Sequence, residues 1–261
     1  MQRNQTAVAP ALRALLENLF DYAGTFPPAS LDTQTALNNY SQYANHPYAW
    51  MLRYMVVSAA DVAAAPAAFD GKLSVLAESD VDRAGAIESK GLVQASGKAV
   101  YWEVATNNLH ELDRVKDSGC FAKIRTGAVS AQGIPSVADV AKFIVACAER
   151  RLAFKATAGL HHPIRAEYAL SYVPDAPRAV MHGFLNVMVA AAFAWDGERD
   201  IAPILDETRA SAFEFGNELK WNGKSLSAEQ IKDARTNFMH AIGTCSFEEP
   251  VSELQALKLL I

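Results

Sequence analysis

Two lysines lie inside short apolar runs that share a local pattern. The runs are Phe121-Ala122-Lys123-Ile124-Arg125-Thr126-Gly127 and Phe154-Lys155-Ala156-Thr157-Ala158-Gly159, each ending in small residues and a glycine where a strand should give way to a loop. Burying an ammonium without a partner depresses its pKa, and an amine held neutral near pH 7 is a nucleophile for a carbonyl carbon. Lys123 and Lys155 are therefore candidates for imine chemistry, against the plainer reading of two solvated rim lysines.

Other polar residues fall at the ends of apolar runs. Asp21 and Tyr22 close the first, Arg53 lies in the second and Glu103 in the fifth, while His161 and His162 follow the Lys155 run and His182 ends a later one. Side chains alternate along a strand, so Arg125 shares a face with Lys123, and its planar guanidinium suits a substrate carboxylate. Glu103 fits acid–base duty or a structural ion pair. His161 and His162 suggest a zinc-type ion, but neighbours in a strand point to opposite sides, and neither H-x-H nor H-E-x-x-H is present. His182 either polarises a substrate oxygen or caps the helix after it. The segment Asp21-Tyr22-Ala23-Gly24, followed by Phe26-Pro27-Pro28, reads as a loop shaped over a cavity or as turn geometry alone. Cys245 has no base beside it in sequence and reads as structural.

Positioning such residues requires converging elements. Several apolar runs are followed by a capping residue and an acid or amide three positions on: Ser58 with Asp61, Ser79 with Asp82, Asn108 with Glu111, Ser136 with Asp139. After Ser136, the residues Val137, Val140, Ala141, Ile144, Val145 and Ala148 form one apolar helical stripe. The spacing predicts eight strands, at Leu19–Ala23, Trp50–Val57, Leu73–Ala77, Gly91–Ala95, Ala99–Ala105, Cys120–Thr126, Leu152–Thr157 and Ala179–His182. Alternating strand and helix signals in a chain of 261 residues point to the α/β class and a (β/α)8 TIM barrel, whose active site gathers at the C-terminal strand ends. The expected barrel with its N-terminal capping helix spans residues 1–196. Residues 197–261 are expected to be a C-terminal helical extension that covers the barrel or makes a dimer contact, with helix over Asp200–Phe215, a turn at Asn222-Gly223 and a capped helix after Ser227.

Composition narrows the function classes. Half the chain is apolar, and 24 basic residues stand against 29 acidic ones, for a net charge of −5 with the basic residues scattered. That pattern argues against nucleic acid as a partner. The three cysteines, Cys120, Cys147 and Cys245, lack C-x-x-C spacing, a reduced, cytoplasmic pattern. Met1–Phe20 has no basic segment followed by an apolar one, and its Leu12, Leu15, Leu16 and Leu19 have helical spacing, so a capping helix is expected rather than a signal. The most apolar stretch, Phe184–Trp195, is too short for a membrane span and reads as a buried helix.

The runs Val100-Tyr101-Trp102-Glu103, Lys123-Ile124-Arg125-Thr126-Gly127 and Lys155-Ala156-Thr157-Ala158-Gly159, with Pro163 and Arg165, resemble the deoxyribose-phosphate aldolase family of class I aldolases. The resemblance covers roughly Ala99 to Arg165 and, more faintly, Met181 to Ala192. It implies Lys123 as the imine-forming residue of a K-x-x-T-G strand end and Lys155 as the like charge that lowers its pKa, with Thr126, Gly127 and Gly159 shaping the substrate site. The chain departs from the family where an acid is expected on the third strand, at the paired glycines that are Ala158-Gly159 here, and at Arg125, where the family has a small residue.

These readings converge on a carbon–carbon lyase that forms a Schiff base with a small oxo or sugar-like substrate and needs no cofactor. Lys123, Lys155, Glu103 and His182 are the catalytic candidates. Arg125, Thr126, Gly127, Gly159, His161, His162, Asp21 and Arg53 are the substrate-binding ones. Two rivals keep the barrel: a hydrolase or lyase with a metal held by His161 or His162, Glu103 and His182, and a non-catalytic barrel that binds an anion.

Overall fold

Strand and helix patterning is realised in a computed structural model, which describes residues 8–261. Eight parallel strands close on themselves: β1 (Phe20–Tyr22), β2 (Leu52–Ser58), β3 (Leu73–Leu76), β4 (Ala84–Ser89), β5 (Ala99–Glu103), β6 (Phe121–Arg125), β7 (Phe154–Thr157) and β8 (Met239–Thr244). Every barrel strand pairs with its neighbours in parallel, and β8 closes the ring between β7 and β1. This is the (β/α)8 TIM barrel expected from the sequence.

Of the four expected capping pairs, Ser136–Asp139 alone opens an α-helix with its cap bond, whereas Ser58 precedes a 3-10 segment at Ala59–Ala64 and the helix after Asn108 starts from His110. Helix α1 (Pro10–Leu16) precedes β1 and buries Ala11, Leu12, Leu15 and Leu16. The first seven residues of the Met1–Phe20 segment lie outside the described residues. Helices α2 (Thr33–Tyr43), α3 (Glu111–Asp117) and α4 (Val137–Glu149) follow β1, β5 and β6. The Ser136 side chain accepts a hydrogen bond from the Asp139 N–H as expected, and α4 buries Val140, Ala141, Phe143, Ile144, Cys147 and Ala148. Helix α5 (Phe184–Trp195) is buried from Phe184 through Ala194, which explains its continuous apolar sequence. The shorter α6 (Ala202–Asp206) packs beside it. Helix α7 (Ala228–Asn237) starts at a reciprocal Ser227–Gln230 capping box, and α8 (Glu248–Ala256) follows β8.

Three expectations are corrected. The fourth strand is not Gly91–Ala95 but Ala84–Ser89, and Ser79–Asp82 lies in a loop between β3 and β4 rather than opening a helix. The run Ala84-Gly85-Ala86 has weak strand propensity, which hid it. Gly85 is needed there, because a Cβ would stand 2.2 Å from the Gly71 carbonyl oxygen. The eighth strand is not Ala179–His182. Arg178–Met181 instead pairs antiparallel with Ala166–Ala169 in a hairpin between β7 and α5.

The proposed division at residue 196 fails for the same reason, since residues 197–261 carry β8 and the barrel cannot close without them. Asp200–Phe215 holds α6, a 3-10 turn at Ala210–Ala212 and the short strand Glu214–Phe215 instead of one helix. The Asn222-Gly223 turn forms as expected, with φ of 46° and 77°, joining Glu218–Trp221 to Lys224–Ser227.

Candidate active site

Strand register decides which polar side chains meet inside the barrel. On adjacent strands Glu103 lies opposite Lys123, and Lys123 lies opposite Lys155. Both lysines are buried, at 5% and 0% exposure. They do not face each other bare, because Glu88, from the strand the sequence misplaced, stands between them. Lys155 Nζ lies 2.7 Å from Glu88 Oε1, and Lys123 Nζ lies 3.2 Å from Glu88 Oε2. Lys155 also contacts Asp21 Oδ2 at 2.5 Å, and Lys123 contacts Glu103 Oε2 at 2.9 Å. Ser74 donates to Glu88 Oε1 at 2.8 Å.

Beneath this layer the Arg53 guanidinium lies 3.4 Å from Asp21 and donates to the Tyr101 hydroxyl at 3.0 Å, and that hydroxyl meets His240 Nδ1 at 2.9 Å. The Tyr54 backbone N–H donates to Asp21 Oδ1. Three cations, Arg53, Lys123 and Lys155, thus interleave with three carboxylates, Asp21, Glu88 and Glu103. The formal charges of these six side chains cancel.

This arrangement reverses one expectation. Burial opposes the charge on Lys155, but the carboxylates of Asp21 and Glu88 outweigh it and hold the ammonium above the usual lysine range. Burial likewise opposes ionisation of Glu88, while Lys155 and Lys123 bring its carboxyl down to about 2. Lys155 is a fixed cation, and its partner is a carboxylate rather than the other lysine.

Above the network a cavity of about 220 Å³ opens at the C-terminal ends of the strands. Lys123 and Glu88 line its base, whereas Lys155 lies deeper and does not reach it. Arg125, exposed at the end of β6, lines the same cavity, so the expected shared face with Lys123 holds. His161 and His162 both line it too, because they sit in the loop after β7 and strand alternation does not apply to them. Phe26, Pro27 and Pro28 form part of the wall, as the loop reading expected. Leu170, Tyr172 and Met181, from the unpredicted hairpin and its turn, form another part.

Burial, and secondarily His162, pushes the His161 imidazole down to about 4, leaving it neutral near pH 7. Its Nδ1 lies 3.3 Å from the Thr244 hydroxyl and 3.4 Å from Cys245 Sγ.

Several expected site residues take other places. Asp21 and Arg53 are counter-ions under the lysines and line no part of the cavity. His182 donates from Nε2 to the Pro135 carbonyl at 2.9 Å, away from the cavity wall, so neither its catalytic nor its metal-binding expectation is met. Thr126 donates its hydroxyl to the Ala158 carbonyl at 2.8 Å, tying the β6 and β7 ends together. Gly127 packs on Gly159, where an added Cβ would stand 2.6 Å from the Gly159 Cα. The metal set of His161 or His162, Glu103 and His182 is not assembled, since Glu103 is engaged by Lys123.

The sequence reading missed Glu88 and Ser74. The available signal was a carboxylate in alternation with Ala84 and Ala86, a placement that calls for a buried cation partner.

No protein-family model matches this chain, and neither a curated protein nor a solved structure does. The functional reading rests on the site itself.

Proposed function

We propose that the protein is a Schiff-base-forming carbon–carbon lyase of the class I aldolase type, acting on a small oxo compound that carries an anionic group. The observation that carries this reading is the Lys123 amine at the base of the C-terminal cavity, flanked by Glu88 and Glu103 and backed by the fixed ammonium of Lys155.

Lys123 becomes nucleophilic by passing a proton to Glu103, 2.9 Å away and a quarter exposed. The transfer neutralises one cation and one anion together, so Asp21 and Glu88 remain balanced by Arg53 and Lys155. The neutral amine attacks the carbonyl carbon, and the carbinolamine loses water as Glu103 returns its proton to the departing hydroxyl. The resulting iminium accepts the electron pair of the breaking carbon–carbon bond while the Glu103 carboxylate takes the proton of the hydroxyl that becomes the leaving carbonyl. Lys155 holds the Glu88 carboxylate in place beside the new iminium, an arrangement set before substrate arrives. Arg125 at the rim anchors the anionic group, and no cofactor is needed. The three cysteines are unpaired and buried, which supports a cytoplasmic location as part of this reading.

Borohydride reduction with a panel of small aldehydes, ketones and 2-oxo acids tests the reading. Mass spectrometry should find the reduced adduct on the Lys123 peptide, with none in Lys123→Ala. An adduct on Lys155 alone would reverse the roles, and no adduct with any carbonyl compound would leave an anion-binding barrel.

A further inference from the structure

A second cluster of ligating groups lies on the cavity wall, away from the lysines. His162, Glu249 and Glu253 present ligand atoms that all lie within 4.8 Å of one another. His162 Nδ1 is 2.6 Å from Glu253 Oε1, and Nε2 is 4.0 Å from Glu249 Oε1. Glu249 and Glu253 are one helical turn apart on α8, so their carboxylates rise from one face, towards the loop that carries His162.

We propose that His162, Glu249 and Glu253 form a binding site for a first-row divalent metal ion, of the zinc or manganese kind, at the wall of the C-terminal cavity. One imidazole and two carboxylates are a donor set these ions accept, and with ligand atoms within 4.8 Å of one another, small rotations of the two glutamate side chains bring the donors to the separation of about 3.3–3.6 Å that a tetrahedral ion with bonds of about 2.0–2.2 Å requires.

The ligands are also held from outside, as metal ligands generally are. The Tyr168 ring stacks flat on the His162 imidazole, with centroids 3.5 Å apart and planes 10° from parallel, which fixes the ring edge towards the two carboxylates. The Tyr172 hydroxyl donates to Glu249 Oε2 at 2.9 Å and leaves Oε1 for the ion. Both tyrosines come from the segment between β7 and α5 that also holds the hairpin, so that excursion orients the site as well as walling the cavity. Three protein ligands leave coordination positions open, and His162 and Glu249 both line the cavity whose base is Lys123. An ion there would take a carboxylate or hydroxyl oxygen of a molecule in that cavity. The assignment uses neither lysine and does not depend on imine formation.

The test is equilibrium dialysis of chelator-treated protein against Zn²⁺ or Mn²⁺, with metal content measured per chain and cobalt(II) as a spectroscopic substitute. One ion per chain is expected, with visible cobalt bands of mixed nitrogen and oxygen ligation. His162→Ala and Glu253→Gln should each weaken binding at least tenfold while circular dichroism remains that of the parent. Lys123→Ala should bind metal unchanged although it loses borohydride trapping, which separates this proposal from the lyase reading. Substoichiometric uptake by the parent protein, or equal uptake by both ligand variants, would overturn it. If a variant misfolds, cobalt bands of the folded parent that lack nitrogen ligation would overturn it equally.

Discussion

Lys123 and Lys155 stand in register on adjacent strands and hold opposite oxygens of one carboxylate, at 3.2 and 2.7 Å from Glu88. The two amines are nevertheless unequal. One lies at the base of a cavity, and the other is sealed beneath it between Glu88 and Asp21.

This inequality sets an order of stability effects. Lys155→Ala leaves Asp21 and Glu88 without their shared ammonium in the barrel interior, a loss of about 3–5 kcal/mol. Lys123→Ala leaves Glu88 paired with Lys155 and Ser74, and its loss stays at about 1–2 kcal/mol. Urea unfolding of the two variants measures the order, and an equal or inverted pair would contradict the burial difference.

Acid should act through Glu88. Its carboxyl falls from an ordinary value of 4.5 to about 2 in the fold, so its contribution is complete above pH 4.5, shrinks as pH falls and is gone below about 2. The span corresponds to about 3 kcal/mol. Glu88→Gln should be less stable near neutrality and show a flatter stability profile between pH 4.5 and 2, read by denaturant titration at several pH values.

At the alkaline end, Lys155 has the opposite sign. Its pKa is raised above the ordinary 10.5, so its contribution is present below that pH and is lost only as pH rises through the higher folded value. The parent protein should hold its thermal midpoint through pH 10, and Lys155→Met should remove the dependence above it.

Gly127→Ala forces a Cβ to within 2.6 Å of the Gly159 backbone, where no flexible side chain can give way. The β6 and β7 ends must separate, at about 1–3 kcal/mol, and they carry Lys123 and Lys155 apart with them. Reduced thermal stability together with slower imine trapping is the expected result. Unchanged trapping would show that the glycine contact does not set the lysine geometry.

Arg125→Ala should weaken binding of 2-oxo acids tenfold or more, and that of uncharged aldehydes of similar size much less. Arg125 is the rim guanidinium of the cavity, and its fork suits a carboxylate better than a lysine would. Borohydride trapping as a function of substrate concentration reads the difference.

Much of this architecture was legible in the chain. The Ser136 and Ser227 caps and the Asn222-Gly223 turn are local signals, and local hydrogen bonds realise them. The two-residue period put Lys123 and Arg125 on one face, because alternation belongs to any strand. Which strand closes the barrel was not local. Arg178–Met181 and Met239–Thr244 are both short apolar runs beside a helix, and only pairing with β7 and β1 selects the second. The partner of the lysines was hidden likewise, since Glu88 lies in a weak strand of small residues whose inward face is fixed by its neighbours' register. The sequence by itself determined that two lysines sit inside strands of a βα protein. Tertiary structure alone decided that a carboxylate separates them, because charge pairing across a barrel depends on distances that no spacing along the chain encodes.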